Sequence, residues 1–245
     1  SLARALRVDK LTLAALAEAV VAAGPDPARV AARRQRWGTE HAGQRSRWKA
    51  AARAVTGDHP IDMAWLSRCL GDVLDESTIV VNEYDLDVTQ TCFSTPGSYF
   101  ASSPAAGLGW ALGAALGAKL AAPDKTVICA VGDGAYIFGS PTASHFVSRA
   151  YNLPLLVVVF NNRAWNAVKR ATKAYAPDGW AVRTGAMPMS DLEPAPDYEL
   201  ICRASGGHGE RVEDPAELPG ALARALKVVS EERRQALLNV ICKKP

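Results

Sequence analysis

Two apolar, β-branched segments on either side of a helical segment constrain the fold of this chain more than any other feature. They cover residues 125–131 and 155–160. Residues 141–152 between them favour a helix, which Pro154 ends. A strand–helix–strand unit of this length predicts two parallel strands that are neighbours or nearly so. We therefore predict an α/β fold, with an open, mainly parallel sheet and helices on both faces.

Both predicted strands end in residues that can hold a hard cation. Gly132-Asp133-Gly134 follows the first strand and Asn161-Asn162 follows the second. The carboxyl ends of parallel strands share one sheet edge, where open α/β sheets bind ligands, so Asp133 and Asn162 should meet there. A carboxylate and an amide oxygen suit Mg²⁺, which usually keeps phosphate oxygens among its ligands. The residues predict a magnesium–diphosphate site; a glycine turn beside a capping asparagine pair is the alternative.

Local backbone geometry adds two expectations at this edge. Gly132 and Gly134 should let the backbone approach a ligand closely and adopt positive φ. A helix that follows Gly134 would point its N-terminus at the same place and favour an anion.

The pairing of Gly-Asp-Gly with a later Asn-Asn resembles the signature of thiamine diphosphate (ThDP) enzymes. The likeness is to the acetolactate synthase, benzoylformate decarboxylase and pyruvate decarboxylase group, and it covers roughly residues 61–245. It implies that Asp133, the side chain of Asn162 and the backbone carbonyl of Ala164 ligate Mg²⁺. Gly132, Gly134 and Ala135 would then border the cofactor. The interval between Asp133 and Asn162 is slightly longer than in the best-known members, and we place the extra length in the turn at residues 138–141.

A second glycine-rich stretch, residues 97–122, contains Gly107-Leu108-Gly109. The motif does not predict a dinucleotide-binding site, because the third glycine of GxGxxG would fall at position 112, which is leucine, and because no hydrophobic strand precedes it. What remains is a turn into a helix with Gly109, Gly113 and Gly117 on one face, a surface suited to close packing.

Resemblance to the motif GLGxxxxAA gives this turn a role. It implies that Leu108 lies under the bend of ThDP, and that backbone groups of Ala106 and Leu108 face the pyrimidine ring. The alternative for Leu108 is an ordinary core leucine.

The loop after a predicted short strand at residues 78–81 should reach the same sheet edge. In the resembled family the equivalent loop helps to hold the diphosphate, which makes Tyr84 and Asp85 candidates by position. The alternative is a turn that orders the next segment.

A helix predicted over residues 164–174 begins directly after Asn162. Its start would place Trp165, Asn166 and Val168 over the cofactor. Trp165 could equally be a core residue, and Asn166 could be a helix cap.

The remaining chain predicts further elements of one α/β layer structure. Residues 175–196 show no clear period and suggest a mobile lid or a segment ordered by a partner. His145 and His208 lie near no convincing nucleophile and are interpreted as structural. The predicted elements are helices at residues 60–74, 197–204 and 215–229, an edge strand at 209–212 and a buried strand at 236–241.

Composition limits the function classes. The 245 residues are 49% hydrophobic, enough for one large α/β domain, and the net charge of +3 gives no indication of a polyanion partner. No apolar run is long enough to span a membrane. Five scattered cysteines without a CxxC pair indicate a reducing, cytoplasmic setting.

We expect three regions along the chain. A short amphipathic helix at residues 11–23 would place 1–24 at the end of a preceding central domain, by resemblance. Residues 25–59 would form a basic helical linker, and 60–245 the diphosphate-binding (PP) domain. Trp37 and Trp48 alternate with basic residues in this segment, a pattern that nucleic-acid-binding segments also show. We favour the linker interpretation over nucleic-acid binding.

The resemblance implies a ThDP- and Mg²⁺-dependent enzyme that cleaves or forms C–C bonds next to a carbonyl, such as a 2-keto acid decarboxylase or an acetolactate synthase-like carboligase. Family members also need a glutamate from a pyrimidine-binding (PYR) domain, which this sequence lacks. We therefore expect a PYR-domain polypeptide or a missing N-terminal part, in an oligomer. The alternatives are a non-catalytic, regulatory ThDP-fold subunit and a different magnesium–phosphate enzyme.

Overall fold

The computed structural model describes residues 2–101 and 107–244, with only the backbone course given for residues 2–10. It divides into two compact units, Ser1–Arg47 and Trp48–Pro245. The predicted Ala106 contact lies outside the described residues.

The first unit is helical. Helix α1 spans Leu2–Ala22, so it starts earlier than the sequence pattern suggested, and α2 spans Pro27–Arg53 and ends in the second unit. Asp26 starts α2 by accepting the Ala28 N–H at 2.9 Å, and Pro27 occupies the first helical position. None of the described side chains at 11–47 is buried.

The second unit is built on a six-stranded sheet, in which every pairing between the described strands is parallel. Its spatial order is β2-β1-β3-β4-β6-β5. The strands are β1 Thr78–Glu83, β2 Tyr99–Ala101, β3 Thr126–Gly132, β4 Leu156–Asn161, β5 His208–Val212 and β6 Ala236–Ile241. The predicted adjacency of β3 and β4, the edge position of β5 and the buried position of β6 are all confirmed.

Helices cover both faces of this sheet, as predicted. The helices that begin in this unit are α3 Met63–Val73, α4 Trp110–Ala121, α5 Asp133–Phe138, α6 Pro141–Ala150, α7 Asn166–Tyr175, α8 Trp180–Thr184, α9 Tyr198–Ala204 and α10 Leu218–Ser230. Alternate strand residues divide between two cores. Val80, Ile128 and Val158 face the side of α3 and α10, whereas Val81, Cys129 and Val157 face the side of α4 and α9. Burial on both faces explains why the strands read as continuous apolar runs.

Two elements differ from the sequence-based expectation. The helix predicted over residues 141–152 is confirmed as α6, but a separate six-residue helix, α5, precedes it and begins at Asp133. Gly139 and Ser140 separate them, and Ser140 adopts a left-handed φ of 52° that ends the first helical path. Strand β1 is longer than predicted, because Asn82 and Glu83 continue the pairing with β3 despite their polar side chains.

The segment at residues 175–196 is held by this chain's own contacts, at least near its end. Ala164 forms an antiparallel bridge with Asp191, and the Trp165 N–H donates to the Ser190 carbonyl at 2.9 Å. Lys169 Nζ donates to Asp191 Oδ1 at 2.7 Å. These contacts tie the end of the segment to the start of α7, and the expectation of a mobile lid or of ordering by a partner stays a prediction.

Candidate active site at the carboxyl ends of the strands

A cavity of about 310 Å³ lies at the carboxyl ends of β1, β3 and β4. In this strand order, the connection from β1 leads to β2 on one side and the connection from β3 leads to β4 on the other side. Doubly wound sheets bind ligands at such a point, where the direction of the connections reverses. Every predicted site residue in the described part of the chain lines this cavity. The lining residues are Tyr84, Asp85, Leu108, Gly132, Asp133, Gly134, Ala135, Asn162, Ala164, Trp165, Asn166, Ala167, Val168 and Arg170.

Asp133 occupies the wall of the cavity as the first residue of α5. Its side chain is 1% exposed, Oδ1 accepts the Gly134 N–H at 3.0 Å, and Oδ2 has no hydrogen-bond partner. Burial raises the pKa of Asp133 to about 7, with backbone N–H groups of Gly134, Arg163 and Ala164 opposing the rise and Asp85 adding to it. A buried carboxylate oxygen without a partner is unfavourable unless a cation meets it.

Two consecutive asparagines at the end of β4 have separate environments. Asn162 Oδ1 accepts the Ala164 N–H at 3.0 Å beside the cavity. Asn161 points into the core, where its Nδ2 donates to Asn239 Oδ1 at 2.9 Å, and Asn239 in turn donates to Glu199 at 2.8 Å. Only the second asparagine is therefore available to a ligand.

The start of α7 closes one side of the cavity. The Ala164 carbonyl accepts the Asn166 N–H at 2.8 Å, which turns the chain so that α7 begins at Asn166, slightly later than predicted. Asn166 Oδ1 is buried without a hydrogen-bond partner. Asp133 and Asn166 thus bring two unpartnered buried oxygens to the same cavity.

The glycines beside Asp133 serve a different purpose from the one expected. Gly132 has φ −68° and Gly134 lies within α5, so neither adopts positive φ. A Cβ atom at Gly132 would lie 2.7 Å from Asp85 Oδ2, and one at Gly134 would lie 2.6 Å from the Trp165 ring. The two positions need glycine because neighbouring side chains occupy the space of a Cβ atom.

The loop after β1 reaches the cavity in a strained conformation. Tyr84 and Asp85 have left-handed φ values of 65° and 66°, which are unusual for residues other than glycine. Burial raises the pKa of Asp85 to about 6, and the positive charge of Arg170 opposes the rise. Arg170 and Ala167 line the cavity but were not singled out from the sequence.

Leu108 faces the cavity from the turn before α4 and is 37% exposed, which excludes an ordinary core position within this chain. Glu83, at the end of β1, holds this turn in place. It accepts the Gly109 N–H at 2.6 Å and the Ala111 N–H at 2.9 Å, and its side chain is buried. The sequence did not predict this role, because Glu83 lies in β1, far along the chain from the turn whose N–H groups donate to it.

The donor set fits a hard cation better than a softer metal. Among the described residues, no group of three or more His, Cys, Asp or Glu side chains could hold a metal ion. The oxygens of Asp133, Asn162 and the Ala164 backbone form a smaller, all-oxygen set, which suits Mg²⁺ when phosphate and water complete the coordination.

Comparison with known proteins decides the family. Residues 83–240 match the thiamine pyrophosphate enzyme family, C-terminal TPP binding domain, and this is more than half of the chain. The chain belongs to this family. Thiamine pyrophosphate is the same compound as ThDP, so the resemblance stated from the sequence motifs is confirmed, as is the fold class.

Individual relatives of the ThDP enzyme family support the same assignment. The chain is 38% identical over 130 residues to a probable acetolactate synthase from Mycobacterium bovis, covering 53% of this chain and 22% of that protein. It is 32% identical over 143 residues to acetolactate synthase isozyme 3 large subunit from Escherichia coli, covering 58% and 23%.

A solved structure agrees. The thiamine diphosphate-dependent 4-hydroxybenzoylformate decarboxylase of Rhodococcus jostii RHA1 superposes with a TM-score of 0.65 at 27% identity, over 77% of this chain and 34% of that one. The chain therefore spans about a fifth to a third of the length of the ThDP enzymes it matches. No helix in the described part of the chain has the length and apolar character needed to cross a membrane.

Proposed function

We propose that this chain supplies the magnesium and diphosphate half of a ThDP-dependent active site. Asp133, the Asn162 side chain and the Ala164 carbonyl would hold Mg²⁺. Tyr84 and Asp85 would lie beside the diphosphate. The observation that carries the proposal is the buried, unpartnered Asp133 Oδ2 at a cavity that also contains Asn162 and Leu108.

The remaining cavity residues would position the cofactor and the substrate. Leu108 and the backbone of Ala106 would support the bent cofactor, while Trp165, Asn166 and Val168 would shape the substrate side and exclude water. When bound, ThDP supplies an electron sink for the charge left on a carbonyl carbon as its C–C bond breaks.

We propose that the reaction is cleavage or ligation of a C–C bond next to a carbonyl, by a 2-keto acid decarboxylase or an acetolactate synthase-like carboligase. Its support is that the relatives are named acetolactate synthases and a structural neighbour is named a 4-hydroxybenzoylformate decarboxylase. The substrate would be a small 2-keto acid or acyl compound.

The site would be completed by a PYR domain that supplies the catalytic glutamate, from another polypeptide or an N-terminal part, within an oligomer. In this proposal residues 60–245 form the PP domain, 25–59 a linker and 1–24 the end of a preceding domain. The share of about 22% that this chain covers of its relatives is consistent with further domains elsewhere.

The first prediction tests the metal ligand. Asp133→Ala should abolish Mg²⁺-dependent ThDP binding in the protein assembled with its PYR domain, because it removes the charged ligand. Calorimetry with and without Mg²⁺ measures the effect. Asp178→Ala removes an exposed carboxylate and should bind as the unmodified protein does. Unchanged binding by Asp133→Ala, with an unchanged circular dichroism spectrum, would refute the assignment.

A further inference from the structure

A second cavity lies at the opposite edge of the sheet from the candidate active site. It encloses about 250 Å³, and its walls include the segments that precede β4, β5 and β6. It therefore opens at the amino ends of the parallel strands. Neither the family match nor the proposed function gives it a role.

The walls of this cavity are strongly basic. Three arginines, Arg149, Arg233 and Arg234, line it together with Ser148, Asn152 and Gln235, and the described lining residues include no aspartate or glutamate. Arg234 pairs with Glu232 at 2.5 Å. Within the described part of the chain, Arg149 and Arg233 form no ion pair, which leaves two guanidinium groups open to an anion.

Two of these cations converge on one peptide unit. Arg234 Nη1 donates to the Gly206 carbonyl at 3.2 Å. Arg149 lies against the same residue, since a Cβ atom at Gly206 would be 3.4 Å from Arg149 Nη1. Both guanidinium groups therefore approach Gly206, and an anion bound beside this residue would interact favourably with both charges.

The positive charge extends beyond the cavity wall. Burial lowers the pKa of the nearby Lys119, and the charge of Arg233 lowers it further. Lys119 itself donates to the neutral carbonyls of Pro123 and Lys125, at 2.9 Å and 2.6 Å, so its positive charge adds to that of the arginines, with Asp124 as a nearby opposite charge.

The floor of the cavity is already ordered. Gln235 is 4% exposed, and its Nε2 donates to the carbonyls of His145 and Ser205 at 3.0 Å and 3.4 Å. Ser148 Oγ donates to the Leu153 carbonyl at 2.8 Å. These polar groups have hydrogen-bond partners within the chain. The arginines therefore lie beside an already ordered surface, which reduces the conformational entropy that the protein loses when an anion binds.

We propose that this cavity binds a small phosphate-type anion through Arg149 and Arg233, with Arg234 beside them. Guanidinium groups match phosphate oxygens with paired N–H donors. The volume lies just below the roughly 300–1,000 Å³ of pockets for drug-sized ligands, which suits a small anion.

The phosphate could be free or part of an organic molecule. An adjoining cavity of about 330 Å³ shares Arg149 and Ser205 with the basic cavity and is otherwise lined by Phe146, Ala150 and Ala204. An organic phosphate would lay its apolar part there.

Isothermal calorimetry of the whole chain with inorganic phosphate, at constant ionic strength, tests the site. We expect saturable binding whose Kd rises at least about tenfold in Arg149→Gln/Arg233→Gln, because two charged contacts are lost. The matched control, Lys173→Gln/Arg183→Gln, removes the same charge at exposed positions elsewhere and should bind as the unmodified chain does. Absence of saturable binding, or equal weakening in both double variants, would overturn the proposal.

Two further arms separate the site from the active site and distinguish the sources of phosphate. Asp133→Ala should retain the phosphate isotherm, since the two cavities share no residue. Phenyl phosphate that binds more tightly than inorganic phosphate, with the advantage lost in Phe146→Ala, would assign an organic phosphate. Equal affinities would assign free phosphate.

Discussion

At the scale of single residues, the neighbours of each polar side chain separate ligand-binding groups from structural ones. Asp133 and Asn161 are both buried polar residues at strand ends, yet Asn161 is satisfied by Asn239 whereas Asp133 keeps one oxygen unpartnered. Asp133 and Asn166 each keep a buried oxygen without a partner and both line the cavity, which indicates a place for a ligand.

Glu83 gives the second prediction. Glu83→Ala should lower the free energy of unfolding by about 2–4 kcal/mol, because two N–H groups at the start of α4 lose a charged acceptor. Urea denaturation measures it, with Glu76→Ala at an exposed position as the control. A change no larger than that of the control would mean that Glu83 does not hold the turn that carries Leu108.

His145 is the residue of the third prediction, and its hydrogen bonds define its protonation. Gln235 Nε2 donates elsewhere, so Gln235 Oε1 accepts from His145 Nδ1 at 2.7 Å, which leaves Nε2 to accept from the Tyr136 hydroxyl at 2.8 Å. This is the neutral tautomer. Burial lowers the pKa of His145, and the Gln235 hydrogen bond offsets only part of the shift.

Stability should therefore depend on pH through His145. Below about pH 6.5 the unfolded chain takes up a proton that the folded chain does not, so the free energy of unfolding should fall by up to about 1.4 kcal/mol per pH unit. Above that pH the effect vanishes. The stability of the unmodified chain relative to His145→Gln should therefore decrease as the pH falls from about 7.5 to 5.5, and urea denaturation of both proteins measures this difference. The exposed His41→Gln should not change the slope, and parallel curves for His145→Gln would contradict the prediction.

At the scale of elements, the glycines of α4 have opposite roles although they recur at a regular spacing. Gly109 has φ 85° and lies against the backbone of Gly139, where a Cβ atom would be 2.7 Å away. Gly113 and Gly117 are exposed, with nothing within 4 Å of a Cβ position. Within the described part of the chain the buried face of α4 is formed by Ala111, Leu112 and Ala115, so close packing against the glycine face stays a prediction about a partner domain.

This contrast gives the fourth prediction, with its control in the same helix. Gly109→Ala should destabilise the chain by more than about 1 kcal/mol, because it combines a left-handed φ with a backbone clash. Gly113→Ala should stabilise the isolated chain by about 0.5–1 kcal/mol through helix propensity. Thermal and urea denaturation of both variants measure the two signs, and a stabilising Gly109→Ala would show that the turn tolerates a side chain.

At the scale of the whole molecule, the candidate active site is open and apolar at its rim. Leu108 and Val168 line the cavity and are exposed in the described structure. An apolar rim around a polar centre is typical of a surface that another domain covers. It agrees with the proposal that a PYR domain completes the site.

The fifth prediction follows from that proposal. The 245-residue chain alone should bind Mg-ThDP weakly and show no turnover of 2-keto acids, because in this proposal the PYR domain supplies the catalytic glutamate and part of the cofactor site. Adding a polypeptide with a PYR domain should restore both. Decarboxylation assays at saturating Mg-ThDP, with mass determination by light scattering, check this. Robust turnover by a monodisperse monomer would refute the shared site.

Sequence patterns alone predicted most of the strands and longer helices, and the edge of the sheet at which the site lies. Apolar β-branched runs and turn residues specify parallel strands, and parallel strands always bring their carboxyl ends to one edge, so Asp133 and Asn162 had to meet. Only the tertiary structure decided that Glu83 caps α4, that Asn161 pairs with Asn239, and that Arg170 lines the cavity. These contacts join segments far apart in the chain, and local periodicity carries no information about which side chains meet across such distances. The glycines beside Asp133 have the same explanation: side chains of Asp85 and Trp165, from other segments, occupy the space that a Cβ atom would need.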